Sequence, residues 1–245
     1  MKSIKCLSSN SLKMIAVISM IIDHTAVVFL ENYLVQGELF RGPASYETLQ
    51  FWYQVNRVMR TMGRLAFPIF CYLIAEGFTH TRDSAKYAGR LLIFAAVSEI
   101  PFDIAMFGTW FYPRYQNVYV TLFLGLLAVM GLDRFRREEN GLWKQALTVI
   151  LCCGSAWMLK CDYGAFGVFL IILFYLLHGD RTRQIIMGSI CLMWEPAAVL
   201  AFIPIFLYNG TRGKKNRKWF FYLFYPAHLA VLAALRAGCS LFFLK

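Results

Sequence analysis

The chain has 245 residues, 59% of them hydrophobic and only 16% charged, against roughly 45–50% and 25% in soluble domains; this excludes an ordinary soluble domain. A net charge of +11 would suit a nucleic-acid partner, but the excess sits in short connectors: Arg82, Lys86 and Arg90; Arg134, Arg136 and Arg137; Arg181 and Arg183; Lys214, Lys215, Arg217 and Lys218. The positive-inside rule accounts for that placement, and no groove-reading motif accompanies it, so the expected partner is a lipid bilayer and not nucleic acid.

A bilayer core of about 30 Å needs roughly 20 helical residues. Runs of this kind lie near 11–30, 62–79, 87–107, 117–133, 143–159, 164–178 and 219–241. No linker or fixed-period repeat divides them, so residues 1–245 are expected to form a single transmembrane domain: an all-α polytopic bundle of about 8–9 spans. The first run follows Lys2 and Lys5, as a signal peptide would. It carries Asp23-His24 in its second half and has no small-x-small cleavage site, which predicts a retained helix. The outer loop 31–60 has nearly balanced charges (Glu31, Glu38, Glu47, Arg41, Arg57, Arg60). With its Phe51, Trp52 and Tyr53, it is expected at the interface, as a surface connector or as an amphipathic lid.

The region 184–209 admits two readings. One long helix would put Lys214–Lys218 on the opposite side from the other basic connectors. Two short helices turning near Glu195-Pro196 bring the cluster back to the cytoplasmic side, so a short hairpin is expected there, with the N-terminus cytoplasmic. The seven cysteines (6, 71, 152, 153, 161, 191, 239) lack metal-ligand spacing. Neither a zinc site nor a disulfide framework is expected, and no metal is assigned.

Ionisable residues at membrane depth are costly and point to function. Asp23-His24 lies past the middle of the first run, and Arg64 opens the second. Glu76 and His80 close that run four residues apart, and Glu99 and Asp103 share the same spacing in the third. Asn117 and Thr121 open the fourth. Asp162-Tyr163 lies in an outer connector, and His228 sits in the last run. A pairing of Arg64 with Asp23, Glu99 or Asp103 would satisfy buried charge. The remaining groups suggest a passage reached from both sides.

Lys13 and His24 are eleven residues apart, which returns them to within about 20° on a helix and separates them by roughly 17 Å along its axis. Both would then line one passage, which suits a long donor with a phosphorylated head inside and a thioester deep in the membrane, as in coenzyme A. Lys13, helped by Arg82 or Arg90, would hold phosphates. His24 has an imidazole suited to general-base work, with Asp23 or another carboxylate fixing its tautomer.

The runs LKMIAVISMIIDH (12–24), GRLAFPIFCYLIAEGFTHTRD (63–83), KYAGRLLIFAAVSEIPFD (86–103), NVYVTLFLGLLA (117–128), DYGAFGV (162–168) and FFYLFYPAHL (220–229) resemble the TraX family, in order from about residue 11 to 235. That family's best-known member acetylates the N-terminus of conjugative pilin in the bacterial inner membrane. The resemblance implies an integral membrane acetyltransferase using acetyl-coenzyme A, in the bacterial cytoplasmic membrane. The Lys13-x10-His24 spacing is also similar to an Arg/Lys-x10-His pattern in membrane acyltransferases that act on cell-surface polysaccharides. The acceptor is left open between a protein N-terminus and a surface glycan.

The expected catalytic set is therefore His24 as base with Asp23, and Arg64 and Asn117 stabilising the oxyanion or orienting the acceptor. Glu76, Glu99, Asp103 and His228 would support them or relay protons, and Lys13, Arg82 and Arg90 would bind the donor. Two other readings stand beside it: a proton-coupled secondary transporter, and a non-catalytic membrane subunit for pilus or envelope assembly.

Overall fold

A computed structural model describes residues 5–31, 46–213 and 218–243. Glu38 and Arg41 of the expected loop, and Lys2, Lys214, Lys215 and Arg217 of the basic stretches, lie outside the described residues. Among those described, the chain is all-α. Helix α1 spans Ser9–Thr25 and continues as a π turn over Ala26–Glu31. It is followed by α2 (Tyr46–Gly63), α3 (Ala66–Thr79), α4 (Ser84–Phe107), α5 (Val118–Phe135), α6 (Gly141–Met158) and α7 (Gly164–Leu176). Three short pieces come next, α8 (Arg181–Cys191), α9 (Pro196–Val199) and α10 (Phe202–Phe206), and α11 (Lys218–Phe243) closes the bundle.

Local chemistry sets these limits. Ser8, Asp83, Asn117 and Asp180 cap α1, α4, α5 and α8, each accepting from a backbone N–H of the first turn, which satisfies a donor the helix cannot. Helix α4 stops at Gly108, whose φ of 72° is the left-handed conformation a Cβ would oppose. Asp83 is held below the usual carboxylate range by the Lys86 amide and ammonium. Pro196 opens α9 at a position where its missing N–H costs nothing.

Four segments are long and apolar enough to cross a membrane by length and composition: Ser9–Glu31, Tyr46–Thr79, Val118–Phe135 and Trp219–Gly238. Leu92, Ile93, Val97, Ile150, Leu151 and other large apolar side chains stay exposed, as a lipid-facing surface requires and a water-facing one would not tolerate. The chain is an all-α membrane protein.

Most buried side chains of α1, α3, α4, α5, α7, α11 and residues 192–208 share one core, and Ala128, Leu132, Ala156, Cys161, Val168 and Ile172 form a second under α6. Helix α4 packs chiefly on α11 and α5, α5 on α6 and α7, and α1 on α2 and α3. Small residues set the close approaches. A Cβ at Gly125 would run into the Ile171 side chain, and one at Gly167 into those of Phe67 and Thr121, so side chains of α3, α5 and α7 seat directly on the glycine backbone.

Two ends of the bundle are marked by chain pairing. At the N-terminal end, Leu7 pairs with Tyr208, Ser9 N–H donates to Thr211 O (2.8 Å), and Arg181 donates to the Tyr208 carbonyl. At the opposite end Gln116 pairs with Cys161, and Arg64 meets Glu195. The segment 181–208 therefore leaves the N-terminal end, reaches the far end at Glu195, and returns. It breaks into three helices, with α8 ending at Cys191 and the turn running through Leu192–Glu195.

The segment expected as an outer loop holds a helix over Tyr46–Gly63, carrying Phe51 and Tyr53 exposed and Trp52 half-buried. It lies against α1 and the π turn. The expected second run, 62–79, takes in the last two residues of α2 and all of α3, the two helices being separated only by the turn residues Arg64-Leu65.

Candidate active site

Two polar compartments occupy the bundle, one toward each end. The first is a cavity of about 410 Å³ at the N-terminal end, lined by Lys13, Arg90, Arg212, Glu76, His80 and Ser9, with Phe70, Leu73, Leu91 and Leu122 as apolar walls. Lys13 Nζ lies 5.3 Å from the centre of the Phe221 ring, and Arg90 stands 5.7 Å from that of Tyr87. The sequence puts cations on three separate elements, and the fold gathers them around one opening. Arg82 is exposed and does not line it. Glu76 is held from outside the cavity by His178 Nε2 at 3.3 Å, with His80 Nδ1 at 4.0 Å.

The second compartment begins at His24. Its Nδ1 lies 2.7 Å from His228 Nε2, closer than two stacked rings can approach, so the near-parallel imidazoles meet edge to edge. His228 Nδ1 is 3.0 Å from the Phe224 carbonyl, which only accepts. His228 therefore donates from Nδ1, its Nε2 must accept, and His24 donates from Nδ1. With both rings neutral, this chain of bonds leaves His24 Nε2 as the nitrogen with the lone pair, with no hydrogen-bond partner among the described residues, the form a general base needs. A carboxylate was expected to fix this tautomer; a second histidine and a backbone carbonyl do so instead, because Asp23 turns away to Arg60.

Asp23 Oδ2 accepts from Arg60 at 2.7 Å, and Arg60 Nε also reaches Glu31 at 3.4 Å. Gly63 lets Asp23 pack directly on the α2 backbone. Arg64 is engaged elsewhere, 3.4 Å from Glu195 and hydrogen-bonded to Tyr163. The expected Arg64–Asp23, Arg64–Glu99 or Arg64–Asp103 ion pair is thus replaced by two pairs, because Arg60 and Arg64 are one helical turn apart and the nearer one takes Asp23. Asn117 donates its amide to the Ala95 carbonyl (2.9 Å) and to Glu99, and its oxygen caps α5. Asp103 accepts from the Tyr112 N–H at 2.7 Å. Neither Arg64 nor Asn117 touches His24; each braces an element around it.

Asp162, in the connector before α7, accepts from Tyr115 Oη at 3.1 Å, and its carbonyl takes the Thr121 hydroxyl. Burial raises its carboxyl to about 6. With its folded value above its unfolded one, Asp162 contributes stability that is complete below about 4 and lost as pH rises through about 6. The Asp162→Asn variant is therefore expected to melt higher than the parent at pH 8 and to keep only about half of that advantage at pH 5, which lies midway between the two values. Thermal melts of both proteins in detergent at the two pH values check this, and parallel pH profiles would sink it.

Lys13 and His24 were expected to line one continuous passage. Lys13, Tyr119 and Tyr222 line the cavity and His24 does not. Tyr119 meets Tyr225 edge to face at 5.1 Å, and Tyr225 meets His24 at 6.0 Å. Pro226 explains how Tyr119 is held. Lacking an N–H, it leaves the Tyr222 carbonyl without its helical donor, and Tyr119 Oη donates to that oxygen at 3.1 Å.

Arg60, Arg212, Tyr119, Tyr225 and Glu195 join these groups without having been expected among them. Arg57, Arg60 and Arg64 do fall on one face if residues 46–64 are wound as a helix, which was the available signal for Arg60.

The family model described as TraX protein matches residues 8–236. A probable fimbrial assembly protein FimC, serogroup H1, of Dichelobacter nodosus is 33% identical over 259 residues, covering 94% of this chain and 96% of that one. No solved structure matches the chain.

Proposed function

Because the chain belongs to the TraX family, we propose that it is a membrane acetyltransferase that carries an acetyl group from cytoplasmic acetyl-coenzyme A to an acceptor at the far side of a bacterial cytoplasmic membrane. The likeness to a fimbrial assembly protein favours a pilus-related acceptor such as a pilin N-terminus, with a surface glycan as the other candidate. The observation that carries the reading is His24, whose Nε2 has no hydrogen-bond partner among the described residues once His228 engages Nδ1, beyond the Tyr119–Tyr225 contact from a cavity lined by Lys13, Arg90 and Arg212.

In this reading the N-terminal end faces the cytoplasm. The alternation of the helices between the two ends, with 181–208 as a hairpin, favours nine crossings. The donor's phosphates meet Lys13, Arg90 and Arg212, and its thioester points toward Tyr119. The Tyr119–Tyr225 layer opens to bring the thioester carbonyl to the acceptor. His24 Nε2 takes the proton from the acceptor's amine or hydroxyl as its nitrogen or oxygen bonds to the carbonyl carbon. The carbon–sulfur bond then breaks, and coenzyme A leaves as the thiolate, which takes that proton to become the thiol. Arg60, Arg64, Asp23, Asp162 and Glu195 shape the acceptor side.

The test is an assay in nanodiscs with radiolabelled acetyl-coenzyme A, offered a synthetic pilin N-terminal peptide and a surface polysaccharide in separate reactions. Label is expected on one acceptor and not in a protein-free control. Transport of an intact solute in proteoliposomes, without covalent change and without label transfer, would replace the enzyme by a transporter.

A further inference from the structure

The donor cavity has dimensions that say which part of the donor is read. Its volume of about 410 Å³ is near the lower end of the roughly 300–1,000 Å³ of small-molecule sites. A coenzyme A thioester has two halves of similar bulk, a phosphopantetheine arm and a nucleotide, and a space this small holds one of them. Three cations, Lys13, Arg90 and Arg212, suit the phosphate where the halves join. Beyond them the walls turn apolar at Phe70, Leu73 and Leu122, matching the gem-dimethyl and methylene groups of the arm.

Length agrees with volume. From its ester phosphorus to its sulfur the arm has about thirteen bonds; three bonds of extended chain cover ~3.3–3.6 Å, so the arm reaches about 15 Å. Lys13 and His24 are eleven residues apart on one helix, a rise of about 16.5 Å. An arm anchored by its phosphate at Lys13 therefore ends at the level of His24, past the Tyr119 layer.

We propose that the cavity recognises its acyl donor by the phosphopantetheine arm and the phosphate at Lys13 and Arg212, while the nucleotide stays outside the protein. This rests on the acetyl-donor reading above. The donor specificity then belongs to α1 and the 207–213 segment, whose backbone pairing with residues 7–10 fixes that segment beside the start of α1, so that both cations line one cavity.

The test uses the full chain in nanodiscs with three donors: acetyl-coenzyme A, S-acetyl-4′-phosphopantetheine and S-acetylpantetheine. Removing the nucleotide is expected to lower kcat/KM by less than about 10-fold, and removing the remaining phosphate by about 100-fold or more. Lys13→Ala and Arg212→Ala are expected to raise KM for the two phosphorylated donors about 10-fold or more. Both variants should affect KM for S-acetylpantetheine much less than KM for the phosphorylated donors, and an unchanged size-exclusion profile and melting temperature in detergent show that they fold. A 100-fold loss on removing the nucleotide, or an equal response of all three donors to the variants, would overturn the inference. If acetyl-coenzyme A neither binds in calorimetry nor turns over, the donor reading itself falls, a result distinct from selective failure of the shorter donors.

Discussion

His24→Ala is expected to lower acetyl transfer by about 10²–10⁴-fold, the usual worth of a positioned general base, while binding of acetyl-coenzyme A is unchanged. The second half of this expectation follows from the geometry. His24 does not line the donor cavity, and the Tyr119–Tyr225 layer stands between them. The partner histidine gives a sharper test. His228 touches no reacting atom and serves as a positioning residue, its Nε2 fixing which nitrogen of His24 carries the proton. His228→Ala should therefore lower kcat with little change in KM for the donor. His228→Gln keeps a carbonyl oxygen that can accept from His24 Nδ1 and should recover a substantial part of the loss. Retained activity in His24→Ala would remove the base from the mechanism. Equal damage from His228→Ala and His228→Gln would reduce the pair to packing.

Much of the fold was legible because membrane helices announce themselves by apolar length. The boundaries of α4, α5, α6 and α7 fall within about three residues of the apolar runs, since lipid on one side and close packing on the other leave no room for connectors. The turn near Glu195-Pro196 was legible from charge placement, as the basic residues had to return to one side. The site was less legible, and the reasons differ by residue. Lys13 and Arg90 could be singled out because a cation on an apolar helix needs a purpose, and both line the cavity. Arg212 sits in an irregular segment with other basic residues and carried no mark of its own. His24 and His228 are separated by 204 positions, and nothing in either helix says which face of α11 meets α1. Pro226 was a readable signal left unread: a proline inside an apolar run frees a carbonyl four residues earlier, and a buried carbonyl must find a donor. Tyr119 is that donor, and it lines the cavity on the side that meets Tyr225 and, through it, His24.

The misassigned ion pair leads to the second large effect. Arg60→Leu is expected to destabilise the protein by about 2–4 kcal/mol, because it leaves the partly buried Asp23 carboxylate without its partner. The cost stays below that of stranding a fully buried ion because Arg64 remains within electrostatic reach. Adding Asp23→Asn removes the stranded charge, and the double variant should regain most of the lost melting temperature in detergent. Exchanging the two charges should fail, since Asp23 packs against Gly63 and the α2 backbone, where an arginine side chain has no room. Activity then separates two roles for Asp23. It stands next to His24 in sequence, yet its carboxylate is committed to Arg60 and Oδ1 makes no bond to either histidine. The neutral double variant should therefore transfer acetyl groups within about 10-fold of the parent. Recovery of stability without recovery of transfer would return Asp23 to the catalytic set; recovery of both makes it the clamp that holds α2 over the acceptor side of the bundle.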